Sequence, residues 1–212
     1  MFVAAVCAPL YLAVALDIAK LQSTYRRLGG KTNLFAEWQS LLRDNREAGI
    51  AEKLKRVNDF FNQRIDFVDD QENWGQLDYW ATPMETLSKT KGDCEDYVIA
   101  KYFTLLNLNV PGERLRLIYV KALMTERSGT SMQAHMVLAY YPSPDAEPLL
   151  LDNLMPDIRP AAKRPDLLPV FSFNNQGIFT GVTASANIGA GGVGRLTRWQ
   201  DLLQRAHEEG FD

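Results

Sequence analysis

"CEDYVIAKYFTLLNLNVPGERLRLIYVKAL", residues 94–123, changes its apolar period partway along. In its first half Cys94, Val98, Tyr102 and Leu105 recur at the spacing of one helix face. Asn109 and Pro111 end that pattern, since proline cannot continue a helix. From Arg114 to Leu123 the period is two, as in a strand. The chain hands over from helix to strand here, and its remainder divides the same way.

Upstream, Thr32 or Asn33 can cap a helix carrying Phe35, Trp38, Leu41 and Leu42, and Ile50, Leu54, Val57 and Phe61 mark a second. A polar, aromatic-rich connection, "DFVDDQENWGQLDYW" (66–80), leads to Thr82-Pro83-Met84-Glu85, a capping box with proline at the first helical position. Downstream, "AHMVLAYY" (134–141) and "PLLLDNL" (148–154) flank the turn-rich "PSPDAE" and read as an antiparallel hairpin. "PVFSFNNQGIFTG" (169–181) adds strand material around an Asn-Asn-Gln-Gly turn. A final amphipathic helix, capped by Thr197, carries Leu196, Trp199, Leu202 and Leu203. Helices first and strands later indicate one α+β domain, with N-terminal helices and the 94–108 helix packed on an antiparallel β-sheet. No internal repeat is visible.

The chain has 212 residues, room for one domain with a substantial core. A net charge of -3, with its basic residues scattered, gives no electrostatic reason to expect nucleic acid. Phe2 to Leu16 carries no charge and is short for a membrane span. With Ala13-Val14-Ala15 as a small-x-small site, residues 1–16 read as a signal or membrane-targeting segment, although no Lys or Arg precedes the apolar run. The alternative is a buried N-terminal helix. Of the two cysteines, Cys7 would leave with a cleaved segment, so the exported domain, residues 17–212, would keep Cys94 alone.

Two motifs are set aside on context. "GAGGVG" (189–194) has the letters of a dinucleotide-binding turn, yet no βαβ unit surrounds it and only about one helix follows, so it reads as a linker. Two Cys and two His, none at ligand spacing, do not make a structural zinc site.

The constellation that remains is Cys94, His135 and Asp152. Cys94 begins its helix, where unpaired N–H groups and the helix dipole favour a thiolate and can donate to an oxyanion. With the hairpin turn centred between Pro144 and Asp145, Asp152 faces Val137 and His135 faces Leu154. His135 and Asp152 are then diagonal neighbours on one face, and a helix laid on that face would bring Cys94 to the histidine. The plain reading also stands: a buried Cys is commonly a small hydrophobe, and the His and Asp serve local backbone.

The acids beside Cys94 oppose a thiolate. At ~6 Å and an effective dielectric near 20, each costs it up to about 3 kcal/mol before screening. Asp93, Glu95 and Asp96 are either ordinary first-turn acids or a cluster of hard oxygen ligands for Ca2+, which would cancel their field and fix the loop.

"DYWATPMETLSKTKGDCEDYVIAKYFTLL", "AHMVLAYY" and "LLLDNL", in that order, closely resemble the bacterial transglutaminase-like cysteine proteinases, from about Phe35 to the final helix. The resemblance implies a papain-like, transglutaminase-like core with Cys94 as nucleophile, His135 as general base then acid, and Asp152 as orienter. It implies calcium at Asp93, Glu95 and Asp96, and a periplasmic enzyme that cuts the N-terminal region of a large surface adhesin, dispersing biofilm. An inner-membrane receptor that senses cyclic di-GMP would be its inhibitory partner. Tyr79 and Trp80 are candidates for a second oxyanion donor, or else aromatic core. Two alternatives use the same residues: an amidotransferase or transglutaminase with an amine acceptor, and a non-catalytic calcium-binding partner.

Overall fold

The computed structural model describes residues 16–31, 33–126, 129–180 and 197–211. The apolar segment before Leu16 with Cys7, the cap candidate Thr32, the glycine run 189–194 and Leu196 lie outside the described residues. Among the described residues no helix is long and apolar enough to cross a membrane.

Helices come first, at the expected places. In α2 (Leu34–Asn45) Leu34, Phe35, Trp38 and Leu42 are buried, and in α3 (Ile50–Arg64) Leu54, Val57 and Phe61 are. Asn33 is the residue before α2 and makes no side-chain cap. Two helices are additional to those expected: α1 (Ile18–Arg27), which buries Leu21 and Tyr25, and the four-residue α4 (Asp70–Asn73). α5 (Pro83–Lys89) has the expected capping box: Thr82 accepts from the Glu85 N–H, and Glu85 accepts from the Thr82 N–H. It ends at Thr90, whose φ of 56° lies in the left-handed region.

α6 (Cys94–Asn107) is buried around nearly its whole circumference from Glu95 to Leu105, so it is the central helix rather than an amphipathic surface one. Two of its buried polar side chains are paired within the core: Thr104 accepts from the Trp38 indole at 3.0 Å, and Lys101 donates to Asn58 Oδ1 at 2.8 Å. It packs between α3 and the sheet.

That sheet is antiparallel throughout. β3 (Leu115–Glu126), β4 (Gly129–Tyr140), β5 (Leu149–Leu151), β6 (Arg159–Pro160), β7 (Leu167–Asn174) and β8 (Gly177–Thr180) lie in the order β6-β5-β4-β3-β7-β8. β4 and β5 pair as expected, with Leu138 opposite Leu151, and Asn174 faces Gly177 across the Asn175-Gln176 turn. Met136, Leu138 and Tyr140 enter the main core with α6, while Val137 and Ala139 join a smaller cluster with Ile118, Val120 and Leu150. Apart from this sheet, the two-residue strands β1 (Asp66–Phe67) and β2 (Lys91–Gly92) pair in parallel, tying the 66–80 connection to the loop before Cys94. α7 (Thr197–Glu209) closes the core with Trp199, Leu202 and Ala206.

Candidate active site

Cys94 opens α6, and the unpaired N–H groups of a first helical turn give that end a positive field. Its thiol donates to Glu95 Oε2 at 2.9 Å, and its sulfur accepts the backbone N–H of Met136 on β4. Burial first, then Glu95 and Asp93, push the thiol well above its ordinary range. The conflict read from the sequence is therefore present in three dimensions: the protein's own groups hold the sulfur protonated despite the helix terminus.

His135 stands where β4 becomes buried, and β5 ends one residue before Asp152. His135 Nε2 lies 2.8 Å from Asp152 Oδ1, with the two residues 5% and 1% exposed. A carboxylate only accepts, so Nε2 donates to it, and the nitrogen left for another partner is Nδ1. Asp152 Oδ1 also accepts from the Leu154 N–H at 3.0 Å, and Asn62 of α3 donates to the Asp152 carbonyl at 2.7 Å. On the far side, Arg164 Nη2 lies 2.8 Å from Asp152 Oδ2. Burial alone would raise the Asp152 carboxyl; His135, the Leu154 N–H and Arg164 outweigh it and hold the group below its usual range. The fold thus joins His135 to Asp152 and brings the Cys94 sulfur to the residue beside His135.

The acids around Cys94 form a nest larger than the triplet Asp93, Glu95 and Asp96. Asp70 and Asp78, from the 66–80 connection, reach into it. Carboxylate oxygens of Asp70, Asp93 and Asp96 lie within 4.8 Å of one another, as do those of Asp70, Asp78 and Glu95. Asp70 Oδ2 accepts from the Tyr79 N–H and Asp96 Oδ1 from the Ala81 N–H at 2.8 Å, which fixes both acids from the same segment. Four oxygens are buried without a hydrogen-bond partner: Asp70 Oδ1, Asp78 Oδ1, Asp93 Oδ1 and Asp96 Oδ2. Burial, reinforced by neighbouring acids, pushes Asp70 up to about 6 and raises Asp93 and Asp96 further. Orphaned, mutually repelling hard oxygens are the donor set of a divalent cation such as calcium. Gly92 is required beside them, because a Cβ there would stand 2.7 Å from Asp96 Cβ and 2.8 Å from Asp96 Oδ2.

Of the two aromatic candidates, Tyr79 is engaged elsewhere: its hydroxyl donates to Glu85 Oε1 at 2.8 Å and meets Arg205 of α7. Trp80 is 5% exposed and stacked on Phe173, and its indole N–H is buried without a partner. Asp70, Asp78 and Arg164 are not marked by any sequence motif. "VDDQEN" reads locally as acids at a helix start, and nothing local marks Arg164.

A helix that starts at a cysteine and lies on an antiparallel sheet bearing a His–Asp pair is the layout of the transglutaminase-like cysteine hydrolases. Residues 39–165 match the family model described as bacterial transglutaminase-like cysteine proteinase, and the chain belongs to that family. It is similar to solved structures of LapG from Legionella pneumophila. The EGTA-treated form aligns with a TM-score of 0.73 at 35% identity, covering 88% of this chain and 97% of that one. The calcium-bound form aligns with a TM-score of 0.71 at 35% identity, covering 90% and 99%. No curated protein matches the chain.

Proposed function

We propose that this chain is a calcium-dependent periplasmic cysteine endopeptidase that cuts the N-terminal region of a large surface adhesin and so promotes biofilm dispersal. The observation that carries this reading is the buried His135–Asp152 pair, with the N–H of the next residue, Met136, donating to the sulfur of the cysteine that opens α6, in a chain of a cysteine proteinase family. Asp152 holds the Nε2–H of His135, which leaves Nδ1 to take the proton from Cys94. Sγ attacks the scissile carbonyl, and the first-turn N–H groups of α6 donate to the oxyanion. His135 returns the proton to the leaving amine, and water, deprotonated by the same imidazole, hydrolyses the thioester.

Asp70, Asp78, Asp93, Glu95 and Asp96 are the residues that would hold calcium. Bound there, the ion supplies positive charge that offsets the acids raising the Cys94 thiol. The orphaned oxygens support this, as does the similarity to a LapG solved in calcium-bound and EGTA-treated forms. Export through residues 1–16, the adhesin substrate and inhibition by an inner-membrane receptor that senses cyclic di-GMP rest on the family relation.

The test is incubation of the protein with an N-terminal adhesin fragment from the same genome. Cleavage is expected with calcium, and none with a chelator or with C94A. Cleavage by C94A would overturn the nucleophile, cleavage under chelation the metal requirement. Mass spectrometry of the products separates hydrolysis from transfer to an amine.

A further inference from the structure

Arg164 is a buried cation, paired through Nη2 and Nε, that the proposed reaction does not use. It follows the short 3-10 turn Ala161–Lys163 between β6 and β7, and its backbone is held on both sides, by the Ala161 carbonyl at 2.9 Å and the Leu167 N–H at 3.1 Å. Its side chain is 1% exposed, among the most deeply buried charges of the domain. Nη2 meets Asp152 Oδ2 at 2.8 Å and Asp166 Oδ2 at 2.7 Å, and Nε meets both Asp166 oxygens at 3.0 and 3.2 Å. Asp166, partly exposed, is therefore the anchor that points the guanidinium at Asp152.

We propose that Arg164, held by Asp166, is a positioning residue that clamps the outer oxygen of Asp152, so that Oδ1 faces His135 Nε2 in a single orientation. This rests on the reading of His135 and Asp152 as the base and its orienter.

The charge pattern supports it. His135 and the Leu154 N–H both hold Oδ1, so Oδ2 is the oxygen at which the buried carboxylate could swing or take up a proton, and a fixed cation there opposes both. Other charged groups facing this region are Lys101 of α6, near enough to feel Asp152, and Asp59 of α3, which acts on Lys101. Lys101 is hydrogen-bonded to Asn58 and acts on Asp152 through charge, whereas Arg164 Nη2 lies 2.8 Å from Asp152 Oδ2, with the two-oxygen side of its guanidinium fork taken by Asp166. Asn62 restrains the Asp152 main chain and the Leu154 N–H restrains Oδ1, which leaves Oδ2. Arg164 therefore supplies the remaining constraint.

The test compares the calcium-loaded wild type with R164Q, R164K and D166N. The first readout is the 15N signature of the His135 imidazole, assigned against H207Q because the chain has only two histidines. The second is kcat and KM on the adhesin fragment. The wild type is expected to show one neutral tautomer with the proton on Nε2. R164Q is expected to show a tautomer mixture and to lose about 100-fold in kcat with little change in KM, as misplaced catalytic groups do. R164K, which keeps the charge, should recover about tenfold of that loss, and D166N should fall between R164K and wild type.

If R164Q fails to fold, the two milder variants decide. A wild-type tautomer signature and wild-type kcat in both R164K and D166N would overturn the proposal, as would the same result in a folded R164Q. If no protein cleaves the fragment while the tautomer signature still follows Arg164, the substrate reading fails and the positioning role stands.

Discussion

At the scale of single residues, the site turns on buried atoms that lack a partner. Asp70 Oδ1 and Asp96 Oδ2 are the clearest, since the opposite oxygen of each is fixed by a backbone N–H from residues 79 and 81. D70N is expected to weaken calcium binding by at least about tenfold in isothermal titration, because the charge count of the ligands sets affinity. Unchanged affinity would remove Asp70 from the ligand set. G92A should weaken it too, by pushing the Asp96 carboxylate from its place without altering any ligand. Cys94, His135 and Asp152 were legible in the sequence because each lies at the start or end of an element whose pattern can be read. Asp70, Asp78 and Arg164 were not, because their roles arise from atoms brought together across long stretches of chain.

At the scale of elements, α5 and α6 carry the testable features. Thr82 caps α5 and also donates to Glu209 Oε1 of α7 at 2.8 Å. T82A is expected to destabilise the protein by about 1–2 kcal/mol in urea unfolding. In α6, Lys101 is buried, and burial lowers it to about 7 against the opposing pull of Asp152 and Asp59. Below that value the fold must hold a buried charge that the unfolded chain solvates. As pH rises toward the lysine's ordinary range, the folded state no longer has to give up a proton that the unfolded state keeps. K101M should therefore raise stability by about 1–3 kcal/mol at pH 6, with the gain shrinking toward pH 9. A constant difference across that range in thermal melts would show that Lys101 is not the titrating group. Periodicity discloses α2, α3, α6 and the long strands, and the capping box with its proline discloses α5. The two-residue strands β1, β2 and β6 are too short to carry a period, and they exist only because a partner strand is beside them.

At the scale of the whole molecule, the acid nest links the 66–80 connection, the β1–β2 pair and the start of α6. Calcium binding the folded state alone should stabilise it by about 2.7 kcal/mol at a hundredfold excess over Kd, a rise in Tm of roughly 5–10 °C. The rise should be smaller at pH 5 than at pH 7, where protons compete less for ligand oxygens whose carboxyls are raised, Asp70 to about 6. Differential scanning fluorimetry with calcium and with chelator measures both. By itself the sequence determined the order of the main helices and strands, a hairpin carrying His135 and Asp152 on its two strands, and a cysteine opening a helix among acids, while the register of that hairpin is set by the sheet. Those follow from periodicity, capping and alternation, which are properties of neighbouring residues. Only the tertiary structure decided that Asp70 and Asp78 join the acids at Cys94, that Arg164, held by Asp166, closes on Asp152, and that α6 is buried on nearly every side. Such contacts depend on how distant elements pack, and on which buried charges find a partner there.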